Sequence, residues 1–151
     1  MIALGADHGG FKLKEEIKKY LDEMEIEYKD FGTFNEERTD HPIYAKKVAK
    51  SIQNGECDKG ILLCRCGAGM TIGANKFKGI RASICFNKEI AAASKADDDI
   101  NVIVLPAEYV NISQAVQIIR TWLATEFKGG RYLERLQMIE KIEEEESKIG
   151  D

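Results

Sequence analysis

Short apolar runs alternate with longer amphipathic stretches along this chain, and this alternation restricts the fold more than any other feature. Ile2-Ala3-Leu4-Gly5, Ile26 to Phe31, Gly60 to Cys64, Ile80 to Cys85 and Asn101 to Leu105 are strand-length. Between or after them lie helical stretches: Phe11 to Met24, Tyr44 to Ile52, the glycine-opened Gly67 to Asn75, the alanine-rich Lys88 to Lys95, and Ile112 to Phe127. In the first, Leu13, Ile17 and Leu21 recur at four-residue steps and mark one helical face. Five strand–helix units in a row predict an α/β fold: a five-stranded parallel sheet flanked by helices, with right-handed crossovers. Ligands of such sheets bind beyond the carboxyl ends of the strands. Those ends are Gly5 to His8, Gly32-Thr33, Cys64 to Gly69, Cys85 to Asn87 and Leu105 to Ala107.

A chain of 151 residues holds one core, because two halves would each bury too little, so residues 1–151 form one domain. Behind Gly129-Gly130, residues 131–149 form a C-terminal helical arm, with Leu133, Leu136, Ile139 and Ile142 at three-residue steps. That stripe packs on a second subunit as readily as on its own. The run Glu143 to Glu146 is a solvated helix end. With 26 acids against 22 bases, no uniform basic field draws in nucleic acid. No apolar run approaches the ~20 residues of a membrane span. The N-terminus lacks the basic-then-apolar pattern of a signal peptide, so the cytoplasm is the expected compartment. Cys57, Cys64, Cys66 and Cys85 are then free thiols, and their spacing is not the paired C-x-x-C of a zinc or redox motif.

Three sheet-edge segments carry chemistry. Asp7-His8-Gly9-Gly10 offers a carboxylate and an imidazole for sugar hydroxyls or phosphate, or else an Asp-capped turn. In Cys64-Arg65-Cys66-Gly67-Ala68-Gly69 the glycines let amides converge on an anion. Cys64 at the loop's mouth, with its pKa lowered by a helix N-terminus and Arg65, serves as a general base; the alternative is a buried packing cysteine. Asp97-Asp98-Asp99 reads as a surface loop before the fifth strand. Further on, Arg131 and Arg135 lie four apart on one helical face, two donor forks suited to phosphate or a solvated pair.

Taken in order, several motifs resemble the type B ribose-5-phosphate and galactose-6-phosphate isomerases. They are Gly5-Ala6-Asp7-His8-Gly9-Gly10-Phe11-Lys12-Leu13-Lys14, Lys29-Asp30-Phe31-Gly32-Thr33, Gly67-Ala68-Gly69-Met70, Gly79-Ile80-Arg81-Ala82 and Glu126-Phe127-Lys128-Gly129-Gly130-Arg131. The resemblance runs from Met1 to about Ile142. It implies a Rossmann-like sheet, no metal or organic cofactor, and a homodimer or dimer of dimers whose active sites are shared between subunits. The implied reaction interconverts ribose 5-phosphate and ribulose 5-phosphate through an enediolate. Cys64 is then the base between C1 and C2, and Arg65, Cys66, Gly67, Ala68 and Gly69 hold the enediolate oxygens. Asp7 assists ring opening, His8 touches substrate oxygens or phosphate, and Arg131 and Arg135 reach the phosphate from the neighbouring subunit.

The sequence departs from that family's pattern at the site. Arg65 and Cys66 stand in a Cys-Gly-Thr-Gly motif. Asp97 and Asp98 replace the ring-opening histidine and its asparagine, which makes an ionised Asp97 a catalytic candidate for taking the O1 hydroxyl proton and puts Asp98 beside the enediolate among the substrate-binding residues. His41 replaces the tyrosine before Pro42 and offers a substitute acid/base group. Glu108 replaces a phosphate-binding arginine, and Tyr132 a histidine. Two other readings follow from these changes: isomerisation of a tetrose or hexose phosphate, or a phosphosugar-binding module without catalysis. A thiol redox or zinc protein is a third, resting on Cys64 and Cys66.

Overall fold

The computed structural model describes residues 1–149. Its elements run β1 (Ile2–Ala6), α1 (Phe11–Glu23), β2 (Tyr28–Asp30), α2 (His41–Gln53), β3 (Lys59–Cys64), α3 (Ala68–Ala74), β4 (Ala82–Ile84), α4 (Lys88–Asp98), β5 (Val102–Pro106), α5 (Ile112–Ala124) and α6 (Arg131–Ile149). The strands form one sheet in the order β2-β1-β3-β5-β4, and every pairing is parallel. The predicted five-stranded sheet flanked by helices is therefore observed.

Side chains alternate across the pleat, so β3 feeds two cores. Ile61 and Leu63 face the layer that holds Ile17 and Leu21 of α1 and Ile118 and Trp122 of α5. Leu62 and Cys64 face the opposite layer, with Val48 of α2 and Met70 of α3. Trp122 satisfies its buried N–H on the Ile100 carbonyl at 3.1 Å. Gly10 is needed where the chain enters α1, because a Cβ there would lie 2.6 Å from Leu63 Cβ.

Several boundaries differ from the sequence expectation. The edge strands β2 and β4 keep three residues each, since each pairs on one side only. Helix α2 begins at His41 rather than Tyr44, with Pro42 in its first turn, where a missing N–H costs nothing. Asp97 and Asp98 are not loop residues. They end α4, and Asp99 caps it with a left-handed φ of 46°.

Lys14 lies on α1 beside the apolar stripe and is fully buried. Its Nζ reaches Asp30 Oδ2 at 2.6 Å and Glu15 Oε1 at 3.0 Å, and Lys18 joins Asp30 at 2.9 Å. Burial works against the Asp30 charge, but Lys14, Lys18 and the Gly32 N–H outweigh it and hold that carboxyl below the ordinary range. The arm α6 buries Leu136 on its own chain, while Leu133, Met138, Ile139 and Ile142 stay exposed. A cavity of about 360 Å³ between α6 and the β4 edge is lined by Ile80, Arg81, Asp98, Leu136 and Glu143, among others. No helix is long and apolar enough to cross a membrane among the described residues.

Candidate active site

The tips of β1, β3 and β5 lie side by side at the centre of the sheet's carboxyl edge. Cys64 ends β3, only 4% exposed. The loop behind it folds back because Gly67 adopts φ 88°, a conformation costly for other residues. The Gly67 N–H thereby donates to Cys64 Sγ at 3.2 Å. Burial pushes the thiol pKa up; the N–H groups of Met70 and Gly67 pull it down; Asp7 and Cys66 push it up again, and the net direction is upward.

The expected depression of this pKa is therefore corrected. Arg65 does not serve the thiol. Its side chain is 77% exposed and its Nε lies 3.1 Å from Glu108 Oε2. A main-chain bond from the Glu108 N–H to the Arg65 carbonyl, 3.1 Å, ties the same two loops. Nor is Arg65 strained, since the positive-φ residues other than glycine are Glu25 and Asp99 among the described residues. The replacement of glycine at this position is thus sterically free, and Gly67 is the residue the turn requires. Cys66 is exposed while Cys64 is buried, so the two thiols do not form a pair. Among the described residues, no three His, Cys, Asp or Glu side chains converge to hold a metal.

Asp7 is buried, and its Oδ1 accepts from the N–H groups of Gly9 at 2.9 Å and Gly10 at 3.2 Å. It thereby braces the turn into α1, leaving Oδ2 outside these bonds. Arg65 adjoins this turn: a Cβ on Gly9 would lie 3.4 Å from the Arg65 nitrogen. Nδ1 of His8 meets the Thr39 main chain, 3.1 Å from its carbonyl oxygen. Thr39 Oγ1 lies 2.8 Å from the Tyr44 hydroxyl, which anchors this segment to α2. Two residues on, the His41 ring sits against Gly69, so close that a Cβ on that glycine would overlap Nε2. His41 Nδ1 is buried with no hydrogen-bond partner.

The structure thus brings Asp7, His8, His41, Cys64 and the loop Arg65 to Gly69 into one cluster. Asp97, Arg131 and Arg135 belong to a second cluster, centred on Tyr132. Asp97 Oδ1 lies 2.9 Å from Lys128 Nζ, a charge contact rather than a well-formed hydrogen bond. Lys128, Arg131 and Arg135 surround the Tyr132 ring at 4.9, 5.4 and 5.3 Å. A hydrogen bond from Arg131 and the charge of Lys128 hold the Tyr132 phenol below its usual pKa. Asp98 turns away from both clusters, into the cavity under α6. Among the described residues no ion pair or side-chain hydrogen bond links the two clusters. The roles of Thr39 and Tyr44 had no sequence signal, since they act through one backbone contact and one hydroxyl pair.

Comparison with known proteins gives this geometry a context. The family profile described as Ribose/Galactose Isomerase matches residues 2–139. Ribose-5-phosphate isomerase B of Escherichia coli (strain K12) is 43% identical over 143 residues, 95% of this chain and 96% of that protein. Among solved structures, ribose-5-phosphate isomerase B of Clostridium thermocellum superposes with a TM-score of 0.94 at 42% identity, covering 95% of this chain and 97% of that one. Ribose-5-phosphate isomerase B of Mycoplasma genitalium, solved with bound ribulose-5-phosphate, gives 0.90 at 32% identity, over 95% and 96% of the two chains.

Proposed function

The chain belongs to the ribose/galactose isomerase family, and on that premise we propose that it interconverts ribose 5-phosphate and ribulose 5-phosphate with Cys64 as the base. The observation that carries this reading is a lone buried sulfur at the tip of the central strand, already receiving the Gly67 amide. The Cys64 thiolate takes the proton from C2 of the open aldose. The C2–H electron pair forms the C1–C2 double bond, and the carbonyl pair moves onto O1. The O2 hydroxyl proton passes to O1, and returning the abstracted proton to C1 re-forms a carbonyl at C2 and completes the ketose. We assign the two oxygens to amides of the Arg65–Gly69 loop other than that of Gly67, which Cys64 Sγ already engages, and losing one such donor costs about 3 kcal/mol. Asp7 fixes the turn beside them, and His8 presents its free ring edge to the sugar or its phosphate.

The phosphate is assigned to Arg131 and Arg135, whose guanidinium groups are exposed beside Tyr132. Because they stand in the second cluster, we assign them to the active site of a second subunit in a homodimer. The exposed side chains of Leu133, Met138, Ile139 and Ile142 on the same helix support that pairing. Arg131→Ala and Arg135→Ala are expected to raise KM for ribose 5-phosphate by roughly tenfold or more, the loss of one charge-assisted contact. Steady-state kinetics on each variant checks this, and an unchanged KM removes the clamp.

The proton step also sets a pH dependence. Only the thiolate accepts a proton, and its pKa lies above the ordinary thiol value, so the protonated form dominates at neutrality. kcat/KM is therefore expected to climb about tenfold per pH unit from about pH 6 to about pH 8. A flat profile over that range counts against Cys64 as the titrating base. The activity itself is tested in heavy water. Deuterium entering C2 of the aldose or C1 of the ketose demonstrates enediolate chemistry, whereas binding without exchange supports a sugar-phosphate carrier instead.

A further inference from the structure

Ribose 5-phosphate exists in water mainly as a furanose hemiacetal, and no enediolate forms from a closed ring. A group beside the enediolate loop has to move the hemiacetal proton first. We propose that His41 is that group, an imidazole that opens the sugar ring before Cys64 acts; this rests on the isomerase reading above.

Three observations lead to His41. Its ring lies directly against Gly69, in the loop whose amides face the reacting oxygens. Its Nδ1 is buried without a partner, unlike His8, whose Nδ1 is committed to the Thr39 main chain. A buried ring nitrogen without a partner is costly to keep, which marks the ring as held in place for a reason other than packing. Finally, the nearby carboxylate of Asp7 is braced by the Gly9 and Gly10 amides, and within the same chain Asp97 is held by Lys128, outside the Cys64 cluster.

The step balances on one imidazole. Nε2 accepts the proton of the anomeric O1 hydroxyl. The C1–O4 bond breaks, its pair going to O4, while O1 closes the C1 carbonyl. The imidazolium then gives the same proton to O4 and returns to the neutral form, with the open-chain aldehyde lying over the free amides of the Cys64–Gly69 loop. No oxidant, metal or second substrate is required.

The two substrates separate this role from a structural one, because ribulose 5-phosphate carries its phosphate on O5 and cannot close a furanose. His41→Asn is expected to lower kcat/KM for ribose 5-phosphate by roughly 10²-fold, the lower end for acid–base catalysis. Deuterium exchange at C1 of ribulose 5-phosphate should stay within about threefold of the parent, since it needs only Cys64 and the loop. His41→Gln, closer in size, serves if the asparagine variant folds poorly. Equal loss with both substrates shows that His41 only supports the loop, and retention with both shows that it is not used; either overturns the proposal. So does a selective loss of the ribose 5-phosphate reaction in Asp97→Asn with none in His41→Asn. Should the parent protein fail to exchange deuterium with either sugar, the isomerase reading itself fails, a result distinct from all of these.

Discussion

Replacing Cys64 with alanine is expected to lower kcat by roughly 10³-fold or more while the fold survives, because a positioned base typically contributes 10² to 10⁴. The side chain is small and ends a strand, so its removal from the α2–α3 layer costs stability only about 1 kcal/mol. The loop amides and Asp7 remain, so phosphosugar affinity should change little. Calorimetry on the variant, run beside the heavy-water exchange assay, checks both halves of the expectation. Substantial exchange in Cys64→Ala moves the proton transfer to another residue. Simultaneous loss of binding means that the sulfur shapes the loop through its bond from Gly67 rather than acting as the base.

The largest effect on stability is expected at Asp30. Asp30→Ala removes the 2.6 Å partner of a fully buried ammonium, leaving Lys14 with Glu15, a side chain 38% exposed. Uncompensated buried charge of this kind costs about 3–5 kcal/mol. Lys14→Met in the same background should restore most of the loss, since the stem already lies among apolar groups and the Phe11 and Phe34 rings. Urea midpoints of the two single variants and the double variant decide the matter; a single variant within about 0.5 kcal/mol of the parent shows that water solvates the site. The pH dependence has a fixed sign. Asp30 has a depressed folded-state pKa, so its stabilisation is complete above the ordinary carboxylate value, about 4, and fades as pH falls through the lower folded one.

The sheet was legible because strand-length apolar runs and helix-period stretches alternate, a local signal that parallel sheets require. The glycine loop and the two arginines were legible for the same reason, being contiguous or one helical turn apart. What escaped notice depends on contacts across the fold. Arg65 was expected to act on the neighbouring thiol, yet its partner Glu108 lies on the loop after β5, brought close only by strand order. The burial of Lys14 has no local signal, since it follows from β2 placing Asp30 opposite it. The start of α2 was within reach, since Asp40 before His41-Pro42 is a recognisable helix entry. The three aspartates were misread because acid-rich composition suggests a loop, whereas Lys95 pairs with Asp99 across the last turn of α4.

The sulfur proposed as the base stands on β3, the one strand that has two neighbours on either side. Central strands are the last to open in local fluctuations, whereas singly paired edges such as β2 and β4 fray early. Amide exchange should accordingly be slowest across Ile61, Leu62 and Leu63, and heating should erode the rim long before it disturbs the anchorage of Cys64. Catalytic power should then outlast partial melting and disappear only with the global transition, so inactivation should lag the first loss of sheet and coincide with the opening of the central strands.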